Sequence, residues 1–158
     1  MPSHRSARRP ATLALAAIAA FSMAGCGTLA ATEPPATPTD FPGIVGRLAA
    51  AKITVTDYRS GDAGCDDPDL VKSAISFSAQ GKDQADPADL YLYVFRNRAA
   101  FERNRDAVGP CAQSFVTDPE TYEQIEQSPY ILAGQGPWQP SFEAALRSVL
   151  EAAAGTGG

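Results

Sequence analysis

Three thiols, one imidazole and a dense run of carboxylates are the groups in this 158-residue chain with the most obvious chemistry. The thiols are Cys26, Cys65 and Cys111, and the imidazole is His4. His4 lies in the leader MPSHRSARRP, which carries Arg5, Arg8 and Arg9 and no acid, and the fifteen residues ATLALAAIAAFSMAG that follow carry no charge. A basic stretch ahead of an apolar one has the layout of a secretory signal. If that segment is removed no imidazole remains, which excludes Ser-His-Asp and Cys-His nucleophilic catalysis and histidine-ligated zinc or haem. Lys52, Lys72 and Lys82 complete no Ser-x-x-Lys pattern, and nothing matches a phosphate-cradling glycine loop or a dinucleotide fingerprint. Cys65 and Cys111 stand too far apart for a C-x-x-C redox pair. The chain is therefore expected to be no enzyme, with no catalytic residue and no cofactor assigned.

The densest carboxylates are Asp62, Asp66, Asp67 and Asp69, with Asp57 nearby. Oxygen ligands on a turn suit calcium, but D-x-x-x-D-D-x-D is not the spacing of a calcium-binding hand, so a solvated acidic loop is expected and no metal is assigned. Carboxylate pairs for glycoside hydrolysis can be drawn from so many acids, yet no pair has a defined separation. Arg96, Arg98, Arg103 and Arg105 interleave with Glu102 and Asp106. The expected reading is a solvated helix face with intrahelical pairs; the alternative is a basic face for an anionic glycan or a partner's acidic patch. Trp138 either packs over the start of the last helix as a staple or stands exposed as a recognition aromatic.

Met23, Ala24, Gly25 and Cys26 close the apolar stretch. They resemble the lipobox of bacterial lipoproteins, with Met23 where leucine is commoner. The resemblance implies cleavage before Cys26, whose thiol takes a diacylglyceryl group and whose new amino group takes a palmitate-type chain. More than one chain makes such an anchor stable. It would hold the protein on the extracytoplasmic face of the cell membrane. Two rivals stay open: plain secretion, and an uncleaved signal anchor over Ala11 to Ala31, whose twenty-one uncharged residues just suffice to span a bilayer. Arg8 and Arg9 hint at a twin-arginine route, but Pro10, Ala11 and Thr12 follow where bulky apolar residues belong.

Cleavage at residues 1–25 leaves 133 residues, enough for one domain with a modest core. All 18 acids stay while three of the 13 Lys and Arg leave, so the mature net charge is −8. An acidic domain repels phosphate backbones, and no nucleic-acid partner is expected. With Cys26 acylated, Cys65 and Cys111 make an even pair that reads as one disulfide in an oxidising compartment, or else as two buried free thiols. What remains is a binding or interaction module for an envelope protein or ligand, with an envelope hydrolase or an accessory subunit as alternatives.

These groups need elements to position them. Residues 26–39, rich in Pro, Thr and Ala, read as an extended tether reaching about 40 Å. Asp40 caps a helix whose stripe is Phe41, Ile44, Val45 and Leu48. Ile53 to Tyr58 reads as a strand, and residues 61–70 as a turn-rich loop. The alternation from Val71 to Ala79 predicts a half-buried strand with one mostly polar face, and GKDQADPAD, residues 81–89, a polar connection. LYLYVF, Leu90 to Phe95, is apolar on both faces and belongs in the middle of a sheet covered on one side by helices. RNRAAFERNRDAV predicts a helix with Ala100, Phe101, Arg105 and Val108 on one face, ending at Gly109 and Pro110 and leaving Cys111 just beyond. In residues 112–128, SFV looks like a strand and Asp118-Pro119 like a helix start. Tyr130 to Ala133 is a short strand, and Phe142, Ala145, Leu146, Val149 and Leu150 mark the clearest helix.

The sum is one α+β domain over residues 40–153, with an antiparallel or mixed sheet of about four strands against two to three helices. The tail AAAGTGG is expected to fray, with residues 154–158 outside the domain. LYLYVFRNRAAFERN, SPYILAGQG and FEAALRSVL look like a loose class of small, mostly uncharacterised bacterial lipoproteins in which a last strand precedes a C-terminal helix. The likeness covers about the last seventy residues and carries no catalytic motif. It implies a fold and no activity.

Overall fold

Alternation of side chains along the central strands determines the architecture. In the computed structural model residues 40–155 are described. They belong to the second of the chain's two units, Met1–Glu33 and Pro34–Gly158. The signal segment, the lipobox with Cys26, and the tether through residue 39 lie outside the described residues. The elements are α1 (Phe41–Ala50), β1 (Ile53–Ser60), α2 (Pro68–Val71), β2 (Ala74–Gly81), β3 (Gln84–Val94), α3 (Arg98–Ala112), β4 (Tyr122–Gln127), β5 (Tyr130–Gln135) and α4 (Pro140–Ala154). The strands form one antiparallel sheet in the order β1-β2-β3-β5-β4. This is an α+β fold with five strands rather than four, and four helices.

β3 occupies the centre, as its doubly apolar sequence requires. Leu90 and Leu92 point into one core with Phe77, Leu132 and the helices α1 and α4, through Ile44, Leu48, Phe142 and Leu146. Tyr93 and Phe95, on the alternate face, join a second core with Ile131, Ala133 and the α3 residues Phe101, Val108 and Cys111. The sheet is therefore covered on both faces rather than one. Burying both faces explains why Ala74 and Ser76, expected on the polar face of β2, are buried. Ser76 is satisfied there by donating its hydroxyl to Asp62 Oδ2 at 2.8 Å.

Three further segments depart from expectation. Gln84–Asp89 is the first half of β3 rather than a connection, and only Lys82 and Asp83 turn the chain from β2. Pro87 is accommodated because the β2–β3 register shifts there and β5 pairs β3 only from Leu90 onward. α3 runs through Gly109 and Pro110 to Ala112, with Pro110 exposed in the last turn, where the lost hydrogen bond faces solvent. Ser114–Val116 is no strand. The strand of that region is β4, which follows the Asp118-capped turn Pro119–Thr121.

At the C-terminus α4 continues through Ala154, and Ala153 and Ala154 are buried in the first core. The stripe of Phe142, Leu146, Val149 and Leu150 extends one turn further onto these small side chains, so the domain does not stop at residue 153. A void of about 10 Å³ among Ile44, Leu92 and Leu146 is the size of one water, lined by hydrocarbon, and is a packing gap rather than a binding site.

Candidate anion-binding groove

Three carboxylates of the acidic loop, Asp62, Asp67 and Asp69, are engaged by neighbouring groups. Asp67 Oδ1 accepts the Asp69 and Leu70 N–H groups at 2.9 and 3.1 Å, which caps the single turn of α2 behind Pro68. Asp62 accepts from Gly64 N at 3.1 Å as well as from Ser76. Asp69 pairs with Lys72 at 3.3 Å. Among the described residues no three acidic, histidine or cysteine side chains gather into a cation-binding group.

α2 is pinned from three sides. Leu70 is fully buried in the second core. The Ser73 carbonyl accepts the Val94 N–H at 2.7 Å, joining the exit of α2 to the end of β3. Cys65 and Cys111 lie at disulfide distance, with a Cα separation of 5.4 Å, and tie the loop before α2 to α3. Cys111 sits within the last turn of α3 rather than beyond it. Beside the bridge the Phe115 ring stacks on Tyr91 at 3.6 Å and lies over Gly64. A Cβ on Gly64, whose φ is +74°, would meet that ring at 1.9 Å.

Between α2 and the N-terminal half of α3 lies a groove of about 490 Å³. Asp69, Lys72 and Ser73 form one wall, Ala100, Arg103 and Asn104 the other, and Val94 to Asn97 lie between them at the end of β3. α3 is aligned by Asn97, whose Oδ1 accepts the Ala100 N–H at 2.9 Å, and by Phe101, which meets Phe95 edge-on with ring centroids 5.9 Å apart.

The arginine cluster divides across α3. Arg105 reaches Glu126 of β4 at 3.2 Å and Glu102 and Asp106 at 3.7 Å each, and its guanidinium carbon lies 5.8 Å from the Phe101 ring centre. Arg98 pairs with Glu102 at 3.8 Å. Arg96 and Arg103 line the groove and have no carboxylate partner among the described residues. Half of the cluster is thus the solvated, internally paired face expected of it, and half is a pair of available guanidiniums.

Trp138 is 5% exposed, donates its indole N–H to Gln135 O at 3.0 Å, and shares the first core with Phe142. It packs against the start of α4 and is no surface aromatic. Tyr93, which donates its hydroxyl to Ala63 O at 2.8 Å, has its pKa raised by burial and then by the neighbouring Tyr122, Tyr91 and Asp62. Burial, and then the charge of Glu126, push Tyr122 up to about 12. Both stay neutral at ordinary pH and serve packing.

No family model, curated protein or solved structure matches the chain. Among the described residues no helix is long and apolar enough to cross a membrane. The site therefore stands on its own geometry. Lys72 and Ser73 were not legible as site residues, because they come to face Arg96 and Arg103 only once α2 folds against α3, and Asn97 and Asn104, next to those arginines in sequence, carry no local signal of a site. The signal for α2 was present in Asp67-Pro68, a cap followed by a first-turn proline inside what reads as loop.

Proposed function

We propose that this chain is a lipid-anchored binding module of the cell envelope that takes an anionic ligand or partner segment in the groove between α2 and α3. The observation that carries the reading is Arg96 and Arg103. Two guanidiniums without carboxylates line one groove of about 490 Å³ in a chain whose net charge is −5, where intramolecular partners abound. Guanidinium forks bind carboxylate and phosphate oxygens through paired, charge-assisted hydrogen bonds. The groove holds a single carboxylate, Asp69, already paired with Lys72, so it lacks the facing acids that a glycoside hydrolase uses. That favours a binding groove over a glycoside-hydrolase cleft at this site.

The anchor belongs to the same reading. It is supported by the basic leader, the apolar stretch, and the likeness of Met23-Ala24-Gly25-Cys26 to a lipobox. The diacylglyceryl group and the amide-linked chain on Cys26 would hold the protein at the extracytoplasmic face, and residues 27–39 would set the distance of the groove from the surface.

Two measurements on the full-length chain test the two halves. Membranes from cells expressing the wild type or Cys26→Ser are fractionated; the account expects the wild type in the membrane and the variant in the soluble fraction, and equal fractionation contradicts the anchor. Calorimetric titration of the detergent-solubilised protein with oligoglutamate is expected to give a saturable isotherm that weakens with added salt. A flat isotherm for the wild type, or one unchanged by Arg96→Ala with Arg103→Ala, contradicts the groove.

A further inference from the structure

We infer that the ligand of the groove is an acidic peptide segment, whose carboxylates meet Arg96 and Arg103 while its main-chain amides meet Asn97, Asn104 and Ser73. The inference rests on the reading above and narrows it. Its basis is the hydrogen-bonding capacity left over once the internal bonds are made.

Asn97 spends its Oδ1 on the Ala100 N–H, which leaves its amide protons free to donate. Asn104 does the reverse. Its Nδ2 donates to the Ala100 carbonyl at 2.8 Å, which leaves Oδ1 to accept. The Ser73 hydroxyl gives its proton to Leu70 O at 3.0 Å and keeps its lone pairs. The groove therefore offers donors from Arg96, Arg103, Asn97 and the second amide proton of Asn104 beside acceptors from Asn104 Oδ1 and Ser73.

A bare oxyanion such as phosphate engages the donors but brings only one or two protons, on a single small centre, to acceptors that stand on both walls. A peptide supplies a carbonyl and an N–H at every residue, and its acidic side chains supply the charge. Asn97 and Asn104 stand two helical turns apart, about 10 Å along α3. About three residues of extended chain cover that span at roughly 3.3 Å each. An acidic glycan also brings donors, but the ring among the groove residues is Phe95, 4% exposed and turned edge-on to Phe101, so a sugar finds no aromatic face to stack on.

The test is fluorescence anisotropy on the full-length protein in detergent, with a labelled hexapeptide of alternating glutamate and glycine. The competitors are its backbone N-methylated copy, hexagalacturonate and inorganic phosphate. The hexapeptide is expected to bind saturably, and Arg96→Ala with Arg103→Ala to weaken it at least about tenfold, as for anchoring arginines elsewhere. Asn104→Asp, which puts a carboxylate where an acceptor amide stood, is expected to weaken it several-fold. The three competitors are expected to displace it at least about tenfold less well than the unlabelled hexapeptide. If hexagalacturonate or the N-methylated copy competes as well as the hexapeptide while the arginine dependence remains, the groove binds anions and the peptide assignment is overturned. If no probe depends on Arg96 and Arg103, both the assignment and the reading beneath it fall.

Discussion

The carboxylate of Asp83 caps α4 at Phe142, fifty-nine residues away in sequence. Its Oδ1 accepts the Phe142 N–H and its Oδ2 the Ser141 N–H, each at 2.9 Å. Gln139, at the cap position itself, makes no side-chain bond to the helix. The β2–β3 turn thus supplies the negative end that the α4 N-terminus attracts. Desolvation, the largest single influence on the Asp83 carboxyl, raises its pKa, but the bonds from Ser141 and Phe142 outweigh it and the net shift is downward.

Asp83→Ala should therefore lower the thermal midpoint, and the difference should depend on pH. Because the folded pKa lies below the ordinary 3.8, the contribution is complete above that value and is lost as pH falls through the folded pKa. Urea denaturation of wild type and variant is expected to show a constant gap from neutral pH down to about 5 that closes in stronger acid. A gap that persists unchanged in strong acid contradicts the carboxylate cap.

At the alkaline end Tyr122 and Tyr93 govern. Their folded pKa values lie above the ordinary 10.0, so the stability tied to their neutral forms is present below that pH and is lost as pH rises from 10. Absorbance titration of tyrosinate is expected to show one group ionising near 12 in the folded protein, shifting toward 10 in urea.

Removing the bridge with Cys65→Ser and Cys111→Ser acts on the fold and on the groove. The sequence separation of 46 predicts a loss of up to about 4 kcal/mol in the chain-entropy model. The same change frees the loop ahead of α2 from α3, so oligoglutamate affinity should fall even at temperatures where circular dichroism shows the variant folded. Unchanged affinity would mean that Leu70 and the Ser73–Val94 bond hold α2 without the bridge.

Trp138, the single tryptophan, reports the first core. Its emission is expected to be blue-shifted, shielded from acrylamide, and insensitive to groove ligands, because the groove backs onto the opposite face of the sheet. Trp138→Ala should cost about 3–5 kcal/mol, the usual range for emptying such a site.

How much of this was readable in the chain follows from where the information sits. LYLYVF declared a central strand by its six consecutive apolar residues, but its expected cover by helices on one side fell short of the two faces that are buried. Asp40, with the Gly43 N–H at 3.0 Å on its Oδ1, and the stripe of α4 were equally local signals. β4 escaped because YEQIEQ is an edge strand in which Ile125 alone is fully buried, leaving too little alternation to read. Phe115 looked like part of a strand because its apolar character serves a tertiary stack on Tyr91, above a glycine fifty-one residues away. In the groove, the arginines were visible as a cluster. Which of them are free depended on Glu126, brought to Arg105 by β4, and no local pattern encodes that.

The most direct measurement of the central claim is an amide-resolved nuclear magnetic resonance titration of the ¹⁵N-labelled full-length protein in detergent with the acidic hexapeptide. The account predicts shifts concentrated in Asp69 to Ser73 and Phe95 to Asn104, with α1 and the C-terminal half of α4 unmoved. Shifts centred on α1, α4 or the β1 edge, or no shifts at saturating peptide, would contradict it.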